Sequence, residues 1–231
     1  MNTDSYKALS QYIDLLLDAI CVVDKDGCFE FVSAGAERIF GYTPQEMLGR
    51  PMIELVHPDD RARTLQTASE INAGAVKVDF ENRYIRKDGQ IVYLLWSARW
   101  SETDKRRVAV ARDITRSKQI EARQAAIYAI SEAAFASDDL PALYRSIQHI
   151  IAGLIPMCRF AIVLPGANGG QWDFAYDSLL QASAVASGFD ILALCAEVVR
   201  RSETVLLTGD NKAELPAKLQ QLVAGAAINW L

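Results

Sequence analysis

Apolar residues recur along this chain in two rhythms, one near two and one between three and four, and the places where the rhythm changes mark its elements. Leu9, Tyr12, Ile13, Leu16, Leu17 and Ile20 lie at helical spacing and predict an amphipathic entry helix over residues 5 to 20, with Asp4 or Ser5 as its cap. Ala19 to Val23 is a short apolar strand. Asp24-Lys25-Asp26-Gly27 turns it back into a second strand, Cys28 to Val32, with Gly27 supplying the positive φ that a hairpin turn needs. Ser33 is placed to cap a short helix that runs through Phe40 and stops at Gly41. Thr43-Pro44-Gln45-Glu46 opens another helix with the spacing of a capping box, and Gly49 ends it. His57-Pro58-Asp59-Asp60 breaks the chain and caps a longer helix, Asp60 to Asn72, closed by Ala73-Gly74. Three strands follow, Val76 to Arg86, Ile91 to Ser101 and Arg107 to Asp113, with turns at Lys87-Asp88-Gly89-Gln90 and Glu102-Thr103-Asp104-Lys105. Two strands, several short helices and three strands make an α+β domain.

The last of these strands runs through Asp113-Ile114-Thr115 into a segment, Arg116 to Ala136, that has no Pro or Gly and consists largely of helix formers. The first N–H groups of such a helix have no partner within it, and Asp113 or Thr115 can accept from them. Ile114 between them is expected to be buried under the entry helix. Within the helix Ile120, Ile127, Ile130 and Ala134 form a sparse heptad-like stripe. Beyond it, Leu140, Leu143, Tyr144, Ile147, Ile150, Ile151 and Leu154 predict a strongly amphipathic helix opened by Asp138-Asp139 and Pro141. Strands at Cys158 to Leu164 and Gln171 to Tyr176, joined by a turn over 165–170, come next. A helix Leu192 to Arg201, a strand Thr204 to Leu207 and a helix Pro216 to Ala226 complete the pattern. The organisation read from it is an N-terminal helix (1–14), an α+β domain (15–115), a linker helix (116–136) and a second domain (137–231).

Composition narrows the range of partners. With 231 residues, 51% of them hydrophobic and 23% charged, the chain has the length and balance of one or two soluble domains. A formal charge of −5 argues against nucleic acid, whose binders need a basic face. The basic cluster Lys105-Arg106-Arg107 is read as part of a solvated hairpin turn. No apolar run approaches the ~20 residues of a membrane span. Asp4, Asp14 and Asp18 interrupt the first apolar stretch, which excludes a signal peptide and makes the cytoplasm the default location. Cys21, Cys28, Cys158 and Cys195 form no CxxC pair, and read as buried free thiols rather than a metal site or disulfide framework.

The segments VVDKDGCFEFVSAGAERIFGYTPQEMLGR, VHPDD, ENRYIRKDG and VARDIT, in that order between Leu15 and Thr115, resemble a PAS sensor domain with its C-terminal PAC motif. The resemblance implies a five-stranded antiparallel sheet cupping a pocket behind the helices. It departs at Ser33, where the family often has Asn. The second half resembles the N-terminal part of a GAF domain and stops at Ile228-Asn229-Trp230-Leu231, where that family would continue into an inner strand; the expectation is an incomplete GAF-like α/β sandwich. Together the resemblances imply an input region similar to those of bacterial sensor histidine kinases and of cyclic-di-GMP enzymes. Such a module would dimerise and pass a signal to a downstream effector domain absent from this chain.

By the resemblance, Ile39, Phe40, Met52, Leu65, Val78, Phe80, Leu94 and Trp96 are the positions that face the cup. They fit a dry core, a small apolar or aromatic ligand, or a bound cofactor. Haem is disfavoured, because the helix that supplies the ligand in haem-binding relatives reads Arg61-Ala62-Arg63-Thr64-Leu65-Gln66-Thr67-Ala68 and lacks His; His57 reads as a loop and capping residue. A flavin photoadduct is disfavoured because the helix after the first hairpin reads Glu37-Arg38-Ile39-Phe40, without the reactive Cys. Bilin attachment is disfavoured because Cys195 has no adjacent His, and Asn211-Lys212 begins a cyclic-nucleotide signature that nothing downstream completes. Neither a Ser/His/Asp set, a P-loop nor a kinase or cyclase motif is present, so the chain is read as a non-enzyme. Asp113, Ile114 and Thr115 are the expected signal relay. The alternative is a ligand-free structural module that only dimerises an effector.

Overall fold

The computed structural model describes residues 12–137, 139–155, 160–165, 172–178, 191–201 and 217–223. They fall into two compact units, Met1–Ala122 and Arg123–Leu231. The first is built on an antiparallel sheet of β1 (Ala19–Val23), β2 (Phe29–Val32), β3 (Lys77–Ile85), β4 (Ile91–Ser101) and β5 (Arg106–Asp113), in the order β2-β1-β5-β4-β3. The segment between β2 and β3 holds three α-helices, α1 (Gly35–Phe40), α2 (Pro44–Met47) and α3 (Arg61–Asn72), and two 3₁₀ turns, Met52–Glu54 and Pro58–Asp60.

Local chemistry explains most of these boundaries. In the β1–β2 turn the Asp24 carboxylate accepts from the N–H groups of Asp26 (2.9 Å) and Cys28 (2.8 Å), and Gly27 takes φ +87°. Thr43 and Glu46 close a reciprocal capping box on α2, the Glu46 N–H reaching the Thr43 hydroxyl at 3.3 Å and the Thr43 N–H reaching the Glu46 carboxylate at 2.9 Å. Gly35 has a different reason: a Cβ there would meet the Asp18 carbonyl oxygen at 2.7 Å, so α1 can lie against the chain entering β1 only without a side chain.

Several expectations are corrected. The entry helix does not extend to Ile20. Residues 12–14 are helical, 15–18 turn, and Ile20 is already in β1; the hydrogen bonds β1 makes with its two neighbours outweigh a short apolar periodicity. The part of that helix before Tyr12, including Leu9, lies outside the described residues. Ser33 does not cap α1. Its buried hydroxyl accepts from the Ile20 N–H at 2.9 Å, extending the β1–β2 pairing. Nor do the His57 and Asp60 side chains cap α3. The Asp60 carboxylate instead receives Arg83 Nη2 at 2.8 Å, Nε at 3.0 Å and the Arg83 N–H at 2.8 Å, pinning the start of α3 to β3. The core between sheet and helices is anchored by Phe40, Tyr84 and Trp96, with ring centroids 5.5 to 6.4 Å apart.

Helix α4 (Thr115–Ala136) leaves β5. The second unit contains α5 (Leu140–Ala152), the antiparallel pair β6 (Ala161–Pro165) and β7 (Trp172–Asp177), α6 (Ile191–Arg201) and α7 (Ala217–Val223). The Asp139 carboxylate caps α5 through the Ala142 N–H at 2.6 Å, with Pro141 in the first turn. Glu197 of α6, almost fully buried, receives Arg200, Arg201 and Lys218, the last at 3.0 Å from α7; these cations hold its carboxyl far below the usual range. The expected strand Thr204 to Leu207, Cys158, the Asn211-Lys212 pair and the terminal Ile228 to Leu231 lie outside the described residues. No helix among the described residues is long and apolar enough to cross a membrane.

Candidate functional site: a cavity behind the sheet and the joint at its edge

Across the three central strands the register aligns small residues. Cys21 of β1 stands beside Ala109 of β5, and Ala109 beside Ala98 of β4. Three short side chains in one row leave a hollow under α3. The result is a cavity of about 50 Å³, walled by Thr64, Thr67, Ala68 and Ile71 of α3, by Met52, and by inward residues of the sheet, among them Val23, Phe29, Phe80, Tyr84 and Trp96. At roughly 10–15 Å³ for a water-sized guest, that is room for about three to five non-hydrogen groups.

Its polar groups form two sets. In one, Trp96 Nε1 donates to Asn82 Oδ1 (2.9 Å), Asn82 Nδ2 donates to Thr64 Oγ1 (3.0 Å), and the Thr64 hydroxyl donates to the Asp60 carbonyl (2.8 Å), a closed chain from β4 through β3 to α3. The other is the Arg107 guanidinium, 4% exposed, whose Nη1 donates to Asn72 Oδ1 (2.9 Å) and the Ala68 carbonyl (3.5 Å) while Nη2 approaches Met52 Sδ at 3.3 Å. Burial pulls its pKa down. Burial also pushes the Cys21 thiol up to about 12 and the Tyr84 phenol well above its ordinary value, so both line the cavity as neutral groups.

Of the eight sequence-expected positions, Met52, Phe80 and Trp96 line the cavity, and Ile39, Phe40 and Leu94 are buried in the core beside it. Leu65 and Val78 are not brought to it; they are 52% and 65% exposed. On α3 the inward face is set by Thr64, Thr67 and Ile71, which turns Leu65 outward. On β3 the register shifts between Lys77 and Phe80, so Val78 loses the face it would share with Phe80 in a regular strand. The reading of Arg107 as solvated is overturned as well. In β5 residues 107, 109 and 111 point inward, and Arg107 shares that face with two alanines. The period-two pattern Arg107-Val108-Ala109-Val110-Ala111 carried that information; the adjoining charges masked it. Thr64, Asn82 and Tyr84 were missed because polar residues on helix or strand faces give no sign of burial.

The joint lies at the other end of β4. The Thr115 N–H donates to Asp113 Oδ1 at 2.8 Å, so Asp113 takes the first free donor of α4. The Thr115 hydroxyl does not serve the helix: it accepts from the Tyr93 N–H at 3.0 Å, and the Ile114 N–H donates to the Tyr93 carbonyl at 2.9 Å. Ile114 is half-buried. One turn along, Lys118 Nζ pairs with Glu81 of β3 at 2.7 Å, a tie the sequence did not reveal. Strand β4 therefore carries cavity wall and joint together: Trp96 faces the cavity, Leu94 pairs with Asp113, and Tyr93 holds Ile114 and Thr115.

Comparisons with known proteins bear on the first unit. A domain of a sensory box sensor histidine kinase/response regulator from Geobacter sulfurreducens is similar at 22% identity, covering 48% of this chain and 93% of that one, with a TM-score of 0.42. The PAS domain of an HTR-like protein from Haloarcula marismortui matches at 24% identity over 49% of this chain and all (100%) of that one, TM-score 0.44. A PAS domain from Colwellia psychrerythraea matches at 26% identity over 49% and 99%, TM-score 0.42. Residues 29–111, within the first unit, match the family model described as the PAS fold.

Proposed function

We propose that the chain is a sensory input module whose PAS cavity takes a small ligand and whose Asp113-Ile114-Thr115 joint passes the occupied state to α4 and on to an effector domain. The observation that carries this reading is the course of β4, which walls the cavity at Trp96 and, three residues earlier, anchors the start of α4 at Tyr93. A guest that displaces Trp96 would shift β4 and with it the bonds that set the angle at which α4 leaves. In this reading the module works in the cytoplasm as a homodimer, and the second unit is a partial GAF-like domain. The effector in this reading is a histidine kinase or a cyclic-di-GMP enzyme.

The test fuses the full chain to a reporter histidine kinase and compares wild type with Asp113→Ala. The wild type should change kinase output with small-molecule supplements, whereas the variant, which loses one helix-start hydrogen bond worth about 1 kcal/mol, should stay folded and stop responding. Equal responses in both would remove the joint from the mechanism. A constitutive output insensitive to every supplement would favour the ligand-free dimerisation module.

A further inference from the structure

Arg107 stands apart among the cations of this unit. Its neighbours in β5 are paired, Arg106 with Glu30 and Arg112 with Asp18 at 2.9 Å. Lys77, the other cation at the cavity, is paired with Glu70 at 2.9 Å. Among the described residues Arg107 is the only buried Lys or Arg, and no carboxylate oxygen of theirs lies within 4.0 Å of it. Its hydrogen bonds go to a carbonyl, an amide oxygen and a thioether, all neutral. Asn72 and Ala68 belong to the last turns of α3, whose C-terminus offers roughly half a negative charge, and the Asp24 carboxylate acts on it only from beyond 4.0 Å, which leaves the guanidinium without a contacting counter-charge. A buried cation ordinarily has a full counter-charge. Here the cavity lies against it, and one stretch of the wall is apolar: Val23, Phe29, Ile71, Phe80 and the alanines of the central row.

We infer that the cavity takes a small organic monocarboxylate, its carboxylate paired with Arg107 and its short aliphatic body seated on the apolar wall. The volume of about 50 Å³ limits the guest to roughly two or three carbons beside the two carboxylate oxygens, counted together as its head. The planar fork of Arg107 suits a carboxylate, and the neutral Cys21 and Tyr84 beside it add no competing negative charge. This rests on the ligand-binding reading above and narrows it to a class of molecule.

The experiment titrates the full chain, at constant ionic strength, with propionate and with its neutral isostere propionamide, following backbone amides and the Arg107 side-chain Nε–H signal by NMR. Propionate should bind at least tenfold tighter, move the Arg107 Nε–H signal, and shift amides of Ala98 and Ala109; a charge-assisted pair exchanged for a neutral one corresponds to roughly that factor. Arg107→Met should bind the two guests equally, and Arg107→Lys should keep a preference for propionate. Should Arg107→Met fail to fold, the two guests on the wild type decide alone. Equal affinities on the wild type, or shifts confined to surface lysines and arginines, would overturn the carboxylate assignment while leaving a ligand-binding cavity. A cavity that takes neither guest up to about 10 mM contradicts the carboxylate assignment and the ligand-binding reading together.

Discussion

At the scale of single residues, the first unit is held by side chains doing something other than what their sequence neighbourhood advertises. Asp60 sits in a helix-opening motif, yet its carboxylate serves Arg83 on another element, and that guanidinium holds its carboxyl down at about 2. Since the folded value is depressed below the ordinary ~3.9, its contribution is present at neutral pH and is lost as pH falls from about 4 towards 2. Urea unfolding should therefore show Asp60→Asn less stable than wild type by about 1–2 kcal/mol at pH 7, with the gap closing below pH 3. A gap that persists unchanged at pH 2 would mean that Asp60 acts through packing rather than through its charge. Asp113 is the contrasting case. Its role at the start of α4 was legible because a strand-to-helix switch needs an acceptor there and the sequence supplies one. Ser33 and Arg107 were not legible, because one hydroxyl can serve either a helix or a strand and one arginine either solvent or a cavity; the choice is made by neighbours distant in sequence.

At the scale of elements, turn chemistry and strand alternation placed nearly all of the sheet. β4 runs from Ile91 to Ser101 as its alternation predicts, and the β1–β2 turn and the α2 capping box follow local rules. The failures share one cause. Leu16, Leu17 and Ile20 fit a helical wheel, but Ile20 contributes more as part of β1, where hydrogen bonds to both β2 and β5 are available. Val78 fits an alternating strand until a register shift in β3 reverses its face. Helix α4 presents apolar side chains to solvent: Ile120 and Ile127 are about half exposed, and Tyr128 and Phe135 more so. A second copy covering this stripe is the partner our proposal requires. Sedimentation equilibrium of the full chain should give a dimer, and Ile120→Lys together with Ile127→Lys should shift it to monomer without loss of helical signal. A wild type that stays monomeric at high micromolar concentration would remove the dimer from the proposal.

At the scale of the whole molecule, a sensory role requires that the state of the cavity be felt at the start of α4. The path is short and lies within one strand: Ala98 and Trp96 at the cavity, Leu94 beside Asp113, Tyr93 bonded to Ile114 and Thr115, with Lys118 to Glu81 as a second tie. The coupling can be tested without knowing the natural ligand, by filling the cavity from within. Ala109→Val adds two methyl groups to the small-residue row and stands in for an occupied site, at a packing cost of about 1 kcal/mol or more. Amide exchange at Tyr93, Ile114 and Thr115 reads the joint directly, since these N–H groups make its hydrogen bonds. Ala109→Val should change exchange at all three relative to wild type, and adding Asp113→Ala should abolish the change at Thr115 while the cavity strands keep theirs. Exchange at these three amides that is the same in wild type and Ala109→Val, with differences confined to the cavity wall, would contradict the coupling and leave the cavity and the joint as unrelated features of one sheet.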